Sequence, residues 1–353
     1  MKQTKQFLIY GATGFTGKLT ARAAKEKGLS PILAGRNEAK LKAIAQPLGL
    51  QYRAFDLSER AKLDAALGEV DVVLHIAGPF SATSKPMADG CLRTGTNYLD
   101  ITGEIDVFEG LAGRDAEAKK AGIMLLPGVG FDVVPSDCLA AHLKRRQPDA
   151  TDLKIYIGGL NALSRGTAKS VVESVPLGTR VRKDGCIITL PRPKETNCDF
   201  GEGPIPTIVI PWGDVSTAYY STGIPNIEVR MAATTPMRIA ANMPDFARKI
   251  MGTSFVQSVL KAQVDRGPEG PTEEVLRTGK RVLVGVVTNA RGEQARARLT
   301  TSQGYVLTAQ TGAEIARRVA SGEAKPGFQT PSLVFGADFI LQFEGTRREE
   351  LTA

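Results

Sequence analysis

The stretch FLIYGATGFTG, residues 7–17, places an apolar run directly before three regularly spaced glycines. A continuous apolar run is typical of a strand buried in a parallel sheet. Gly11 permits a tight turn, Gly14 lets the backbone approach a ligand, and Gly17 lets the next helix pack close to the sheet. The pattern predicts a loop whose backbone N–H groups face the phosphates of a dinucleotide. The predicted contacts come from one segment: Gly11, Thr13, Gly14, Phe15, Thr16 and Gly17.

Strands and helices are predicted to alternate from this loop onward. Apolar runs recur up to Leu126, and an amphipathic or charged helical segment follows most of them. The run from Val70 to Ile76 is unbroken, as expected for a strand covered on both faces. We therefore predict an α/β fold with an N-terminal Rossmann domain, a doubly wound parallel sheet, and assign residues 1–148 to it.

The pattern changes after Pro148. Short β-like runs rich in Pro and Gly predict an α+β domain at residues 149–302 with a mostly antiparallel sheet. Residues 281–288 and 294–301 flank Asn289-Ala290-Arg291-Gly292, which is typical of a hairpin turn. We assign this domain to substrate binding or dimerisation, since a homodimer is compatible with the sequence. The C-terminal segment, residues 303–353, is predicted to return to the first domain.

The end of the second predicted strand indicates which dinucleotide binds. An NAD enzyme usually carries an acidic residue there, which binds the ribose 2′-OH. This chain reads Ala34-Gly35-Arg36-Asn37 and has no acid before Glu38. The Arg36 guanidinium suits a 2′-phosphate, so we predict NADP.

Two further loops are expected at the carboxyl edge of the sheet, where ligands of such folds bind. Asp56-Leu57 follows the third strand and could meet the adenine amino group; a role for Asp56 in capping the next helix is equally consistent. Ala77-Gly78-Pro79 follows the fourth strand and is expected to line the cofactor crevice.

Composition excludes several other classes of function. The net charge is +8, but Lys and Arg are spread along the chain, and the longest cluster is Lys144-Arg145-Arg146. We therefore expect an anionic small molecule as ligand and no nucleic acid. The four cysteines form no C-x-x-C pair and the two histidines have no suitably spaced neighbours, so no metal site is predicted. The first apolar run is too short for a signal peptide or membrane span, so we expect a cytoplasmic protein.

The segment after the sixth strand carries the candidate reaction chemistry. Gly130-Phe131-Asp132 lies at the ligand edge of the sheet, so Phe131 is placed beside the cofactor and Asp132 is the first choice of proton donor. Tyr98 is the second choice. Short-chain dehydrogenase chemistry is excluded because none of the seven tyrosines has Lys four residues later.

The glycine loop, the Ala34-Gly35-Arg36 turn and Gly130-Phe131-Asp132 followed by Pro135-Ser136-Asp137 together resemble the saccharopine dehydrogenase-like oxidoreductases, and within them the trans-acting enoyl reductases. The resemblance covers about the first 140 residues, and the tail at 327–331 shares it. It implies an NADP-dependent reductase acting on an enoyl acyl-type substrate.

Two alternatives stay open at this point. An imine or amino-acid dehydrogenase of the saccharopine type would need cations to hold substrate carboxylates, and Arg165, Arg180 and Arg182 are available. A non-catalytic NADP sensor or scaffold would need only the first domain.

Overall fold

The computed structural model describes residues 6–158, 163–191 and 193–352. Within these ranges the strands are β1 (Phe7–Tyr10), β2 (Ile32–Gly35), β3 (Tyr52–Ala54), β4 (Val72–His75), β5 (Asn97–Asp100), β6 (Met124–Leu126), β7 (Ala150–Ile157), β8 (Thr179–Lys183), β9 (Cys186–Leu190), β10 (Thr196–Asp199), β11 (Pro204–Val209), β12 (Asn226–Ala232), β13 (Lys280–Asn289), β14 (Gln294–Ser302), β15 (Gly327–Phe328) and β16 (Arg347–Leu351). The helices are α1 (Phe15–Glu26), α2 (Glu38–Leu48), α3 (Arg60–Gly68), α4 (Phe80–Thr94), α5 (Ile105–Ala112), α6 (Asp115–Ala121), α7 (Val134–Arg146), α8 (Arg165–Ser174), α9 (Asp214–Thr222), α10 (Thr235–Ala241), α11 (Asp245–Met251), α12 (Ser254–Asp265), α13 (Glu273–Thr278), α14 (Gly304–Ala320) and α15 (Pro331–Phe335).

The first unit contains a seven-stranded sheet in the order β15-β6-β5-β4-β1-β2-β3. Every strand pair in it is parallel, and β1 lies between β2 and β4, with Leu8 opposite both Ile32 and Val73. All residues of β1 and β4 are buried, which explains their unbroken apolar sequences. The predicted doubly wound parallel sheet is confirmed.

The chain returns to this sheet near its C-terminus. Strand β15 pairs in parallel with β6, adding a seventh strand to the six expected from the sequence. Helix α14 packs against α1, and its buried face includes Leu307 and Ile315. Residues 304–335 therefore belong to the first unit.

The boundary between the two units differs from the predicted one. The first unit comprises the residues up to Val134 together with Gly304–Phe335, and the second comprises Pro135–Gln303 and the residues from Gly336 onward. The predicted boundary at residue 148 is too late because α7 packs on the second sheet: a Cβ at Gly285 of β13 would lie 3.1 Å from Leu139 Cδ2. The end of the chain also differs, since β16 pairs with β14.

The second unit contains a nine-stranded sheet. Its main path is β10-β11-β12-β7-β13-β14-β16, and β8 and β9 branch from β12. Only the β12–β7 pairing is parallel among the pairs found in its described strands. The predicted hairpin is confirmed, with Leu283 of β13 opposite Leu299 of β14. The mostly antiparallel second sheet is therefore also confirmed.

Short breaks at glycine divide two helical stretches. Helices α5 and α6 are separated near Gly113, and α11 and α12 are separated near Gly252. Helix α3 has Glu59 as its N-cap residue.

In the part of the chain that the structure describes, no helix has both the length and the apolar character needed to cross a bilayer.

Candidate cofactor and proton-transfer site

The glycine loop forms the turn that the sequence predicts. Gly11 has φ +92°, and its N–H donates to Ala34 O at 2.9 Å, which ties the loop to the end of β2. A Cβ at this position would lie 2.7 Å from Ala77 N. A side chain at Gly11 would therefore collide with the backbone after β4, and its φ favours glycine in any case.

The other two glycines differ in what surrounds them. A Cβ at Gly17 would clash with Gly11 O and would lie 2.7 Å from Ala12 Cα, so Gly17 lets α1 pack directly on the loop. Gly14 is exposed, and a Cβ there would meet only Gly11 O, at 3.4 Å, among the atoms of the structure. The backbone at Gly14 thus leaves room for a ligand, whereas Gly17 serves internal packing.

The N-terminus of α1 suits an anion. Its N-cap, Gly14, has no side-chain capping bond, and the first turn carries no acidic residue. The N–H groups of Phe15, Thr16 and Gly17 precede the first intrahelical bond, from Lys18 N to Gly14 O at 3.0 Å. These donors and the positive end of the helix dipole fit a dinucleotide pyrophosphate.

Arg36 lies directly after β2 with 79% of its side chain exposed, and its Nε is 3.9 Å from Asp56 Oδ2. An ion pair this long and this exposed contributes little to stability, so the guanidinium stays available to a ligand. Asp56 Oδ1 accepts bonds from Ser58 N at 3.0 Å and Ser58 Oγ at 2.7 Å, and these bonds lower the pKa of Asp56. Asp56 thus stabilises the turn before α3, while Leu57 beside it is half-buried.

The loop after β4 is held by Glu104. The peptide between Gly78 and Pro79 is cis, and Ala77, Gly78 and Pro79 all keep some exposed surface. Glu104 Oε1 accepts from Phe80 N at 3.0 Å, and its Oε2 accepts from Ser81 N at 2.7 Å. A carboxylate on the first N–H groups of a helix is favourable, and here it links the loops after β4 and β5.

Asp132 lies against the backbone of Gly103, in the loop after β5. A Cβ at Gly103 would be 2.9 Å from Asp132 Oδ2 and 3.3 Å from its Cγ, so the carboxyl occupies the space that a side chain would take. Asp132 is half-buried, and burial raises its pKa to about 7. A carboxyl with this pKa can both hold and release a proton near neutral pH.

Helix α14 fixes the segment that carries Asp132. Phe131 N donates to Thr308 Oγ1 at 2.9 Å, and Thr311 Oγ1 donates to Val129 O at 2.7 Å. A Cβ at Gly130 would lie 2.8 Å from Thr308 Cγ2, which shows how closely the segment and the helix approach. Sequence reasoning missed both threonines, since they follow Asp132 by more than 170 positions.

Phe131 itself is buried: only 5% of it is exposed, and a Cβ at Gly304 would be 3.2 Å from its ring. It therefore packs on the start of α14. Phe15 of the glycine loop, by contrast, is half-buried, and its ring lies edge-on to Tyr305 at 5.3 Å between centroids. Of these two predicted cofactor contacts, Phe15 has the more accessible side chain.

Tyr98 has no exposed surface, and its hydroxyl donates to Asp100 Oδ2 at 2.6 Å. Burial and the neighbouring Asp100 raise the pKa of Tyr98 well above its usual value. Asp100 Oδ1 also accepts from Thr102 N at 3.0 Å and Gly128 N at 2.9 Å. This placement argues against Tyr98 as the proton donor and gives the Tyr98–Asp100 pair a structural role at the sheet edge.

His75 is buried in β4, and burial lowers its pKa to about 3, so the ring is neutral. Its Nε2 lies 3.0 Å from Thr83 Oγ1, which donates to Ala77 O at 2.7 Å. These contacts make His75 part of the support for the loop after β4.

Comparison with known proteins gives a family match in this unit. Residues 7–126 match the family described as the saccharopine dehydrogenase NADP binding domain. The chain is 35% identical over 224 residues to a trans-acting enoyl reductase of Mycobacterium leprae, covering 58% of this chain and 53% of that protein. It is 29% identical over 215 residues to a trans-acting enoyl reductase of Mycobacterium tuberculosis, covering 53% of this chain and 50% of that protein. The matched region thus spans about half the length of these relatives.

A solved structure agrees with the fold. Saccharopine dehydrogenase (L-Glu forming) from Saccharomyces cerevisiae superposes with a TM-score of 0.67 over 99% of this chain and 100% of that chain, at 14% identity. This likeness covers both units but concerns the fold alone. The match of residues 7–126 to a saccharopine dehydrogenase NADP binding domain confirms the family resemblance and the NADP-binding character predicted from the sequence motifs.

Proposed function

We propose that this chain is an NADP-dependent oxidoreductase that reduces the C=C bond of an enoyl acyl-type substrate. The observation that carries the proposal is that one unit holds both a helix N-terminus without a side-chain cap, behind a glycine loop, and the Asp132 carboxyl packed against Gly103, where burial raises its pKa to about 7. The names of the mycobacterial relatives support the enoyl substrate.

The cofactor would be held by residues of the first unit. The N–H groups at the start of α1 would bind the pyrophosphate, with Thr13 and Thr16, both half-buried, beside them. Arg36 would bind the 2′-phosphate, because a guanidinium forms strong charge-assisted hydrogen bonds to phosphate oxygens. When bound, NADPH supplies the hydride for the reaction.

Asp132 would supply the proton. Reduction of an enoyl group adds a hydride to the carbon β to the carbonyl and a proton to the α carbon. Asp132 would release that proton and regain one from solvent, so that substrate, NADPH and H⁺ give the saturated product and NADP⁺. Gly103 leaves the space for the Asp132 carboxyl. The Thr308 hydroxyl accepts a hydrogen bond from the N–H of Phe131, the residue before Asp132. Both are therefore positioning residues.

The environment of two arginines favours an enoyl over an imine substrate. Arg165 Nε donates to Gly267 O at 2.9 Å, and Arg182 Nε and Nη1 donate to Val215 O at 2.9 Å and Gly185 O at 2.7 Å. Arg182 is also buried. Guanidinium groups engaged with backbone carbonyls are poorly placed to hold the carboxylates of an amino-acid imine.

The experiment is to incubate the full chain with NADPH and two matched substrate series, α,β-unsaturated thioesters of increasing chain length and imines formed from amino acids and keto acids. Loss of NADPH absorbance with the thioesters and not with the imines is the expected result. Oxidation with the imines alone would replace the proposal by the amino-acid alternative. Binding of NADPH without turnover of either series would favour the sensor.

A further inference from the structure

The most exposed apolar side chains of the described residues lie in one stretch of the second unit. Five of them are more than half exposed: Ile239 (64%), Phe246 (68%), Ile250 (56%), Phe255 (77%) and Val259 (52%). The next most exposed, Val171, reaches 48%. A cluster of large exposed apolar side chains usually marks a binding surface.

Four of these five side chains form stripes on two consecutive helices, α11 and α12, whereas Ile239 lies on α10. Phe246 and Ile250 are four residues apart on α11, and Phe255 and Val259 are four residues apart on α12, so each pair lies on one side of its helix. Only Gly252 and Thr253 separate the helices. We call these four side chains the α11–α12 face.

The opposite side of α12 already has its packing partner. Gln257 Nε2 donates to Val172 O of α8 at 3.1 Å, and Lys261 forms an ion pair with Glu173. Phe255 and Val259 lie on the other side of this helix, away from that contact. The packing of α12 therefore leaves its share of the α11–α12 face uncovered.

The charges around the α11–α12 face are unbalanced. Asp265 is paired with Lys169 at 2.7 Å, whereas Asp245 is 93% exposed and lies 3.9 Å from Arg248, a pair that contributes little. Two exposed cations, Lys249 and Arg266, form no ion pair with any residue that the structure describes.

We propose that the α11–α12 face binds the surface of an anionic lipid bilayer. Phenylalanines on one side of short helices with uncompensated Lys and Arg nearby are the combination that favours insertion at the boundary between headgroups and acyl chains. The basic residues complement the negative charge of acidic lipids.

The same charges disfavour a second copy of this chain as the occupant. A two-fold dimer formed through this face would place Lys249 and Arg266 of both subunits in one interface, since such an interface uses the same patch on each subunit. Asp265 already pairs with Lys169, so the Asp245 carboxylates of the two copies would offset only part of this repulsion.

The test is flotation of the full chain with lipid vesicles. One set is phosphatidylcholine alone, and the other contains about seven parts phosphatidylcholine to three parts phosphatidylglycerol, to supply negative charge. Three double variants are compared with the parent protein: F246S/F255S removes apolar surface, K249E/R266E reverses charge, and L333S/L341S removes exposed leucines elsewhere. Far-UV circular dichroism and thermal melting check that each variant folds.

The expected result is binding of the parent protein to the anionic vesicles, weakened at least about tenfold in F246S/F255S, which corresponds to about 1.4 kcal/mol. K249E/R266E should lose the preference for anionic lipid, and L333S/L341S should bind like the parent. The proposal is overturned if the parent protein ignores anionic vesicles or if F246S/F255S and K249E/R266E both bind unchanged. It is equally overturned if the parent is a dimer that F246S/F255S dissociates and neither form binds vesicles. These readouts require no enzymatic activity.

Discussion

Replacing Gly14 and Gly17 separately by alanine should separate cofactor binding from folding, although both glycines belong to one loop. A Cβ at Gly17 would lie 2.7 Å from Ala12 Cα, whereas carbon atoms in contact are about 3.5–4.0 Å apart. The atoms in the way are backbone, so the loop itself must move. Overpacking of this kind costs about 1–3 kcal/mol. Each kcal/mol lowers the Tm of a domain this size by roughly 2–4 °C.

At Gly14 the same substitution meets little resistance. The new Cβ would lie 3.4 Å from Gly11 O, and the backbone has φ −76° and ψ 168°, which alanine adopts freely. Weaker N-capping by alanine costs less than about 1 kcal/mol. The methyl group would, however, project where the pyrophosphate is expected, so the Kd for NADPH should rise at least about tenfold, or 1.4 kcal/mol.

The assay is a thermal melt of each variant followed by calorimetric titration with NADPH. We expect Gly17→Ala to melt several degrees lower than the parent protein. Gly14→Ala should melt at the same temperature as the parent protein but lose most of its affinity for NADPH. A folded Gly14→Ala variant that binds NADPH like the parent would refute the assignment of this loop as the phosphate site.

Four further outcomes follow from the contacts of the first unit. Arg36→Ala should weaken NADPH about tenfold or more while leaving NADH binding unchanged, because the lost charge-assisted bonds are each worth about 1.5–3 kcal/mol; competitive titration of the two cofactors measures the ratio. The parent kcat should fall as pH rises through about 7, since Asp132 loses the proton it must donate; Asp132→Asn should lower kcat by about 10²–10⁴ and abolish that limb of the pH profile. Gly103→Ala should displace the Asp132 carboxyl and lower kcat with little change in the Kd for NADPH. An unchanged kcat would show that Gly103 does not position this carboxyl. Thr308→Val should leave the buried Phe131 N–H unpaired and cost about 1–3 kcal/mol in a denaturant titration, whereas Thr308→Ser keeps the hydroxyl and should cost less.

Local rules made the first unit predictable from the sequence. The buried strands β1 and β4 are unbroken apolar runs, and Gly11 and Gly17 mark the turn and the helix contact by their spacing. Asn37 caps α2 by accepting a bond from Lys40 N at 2.9 Å, and Asn is one of the residues preferred at this position. Each of these features depends on residues within a few positions of one another.

Features that depend on distant contacts were not predictable. The position of α7 in the second unit depends on its packing against β13, more than a hundred residues later in the chain. The bond between Phe131 and Thr308 leaves no pattern in a single sequence. Tyr98 was the second choice of proton donor, but its side chain has no exposed surface and its hydroxyl donates to Asp100.

The most direct test of the proposed function follows the hydride. NADPH deuterated at the nicotinamide carbon that donates the hydride is incubated with the full chain and an α,β-unsaturated thioester, and the product is analysed by mass spectrometry. We predict a saturated thioester with one deuterium on the β carbon, formed by the parent protein and in much smaller yield by Asp132→Asn. A parent protein that binds the labelled cofactor but forms no deuterated product from thioesters of any chain length would contradict the proposal.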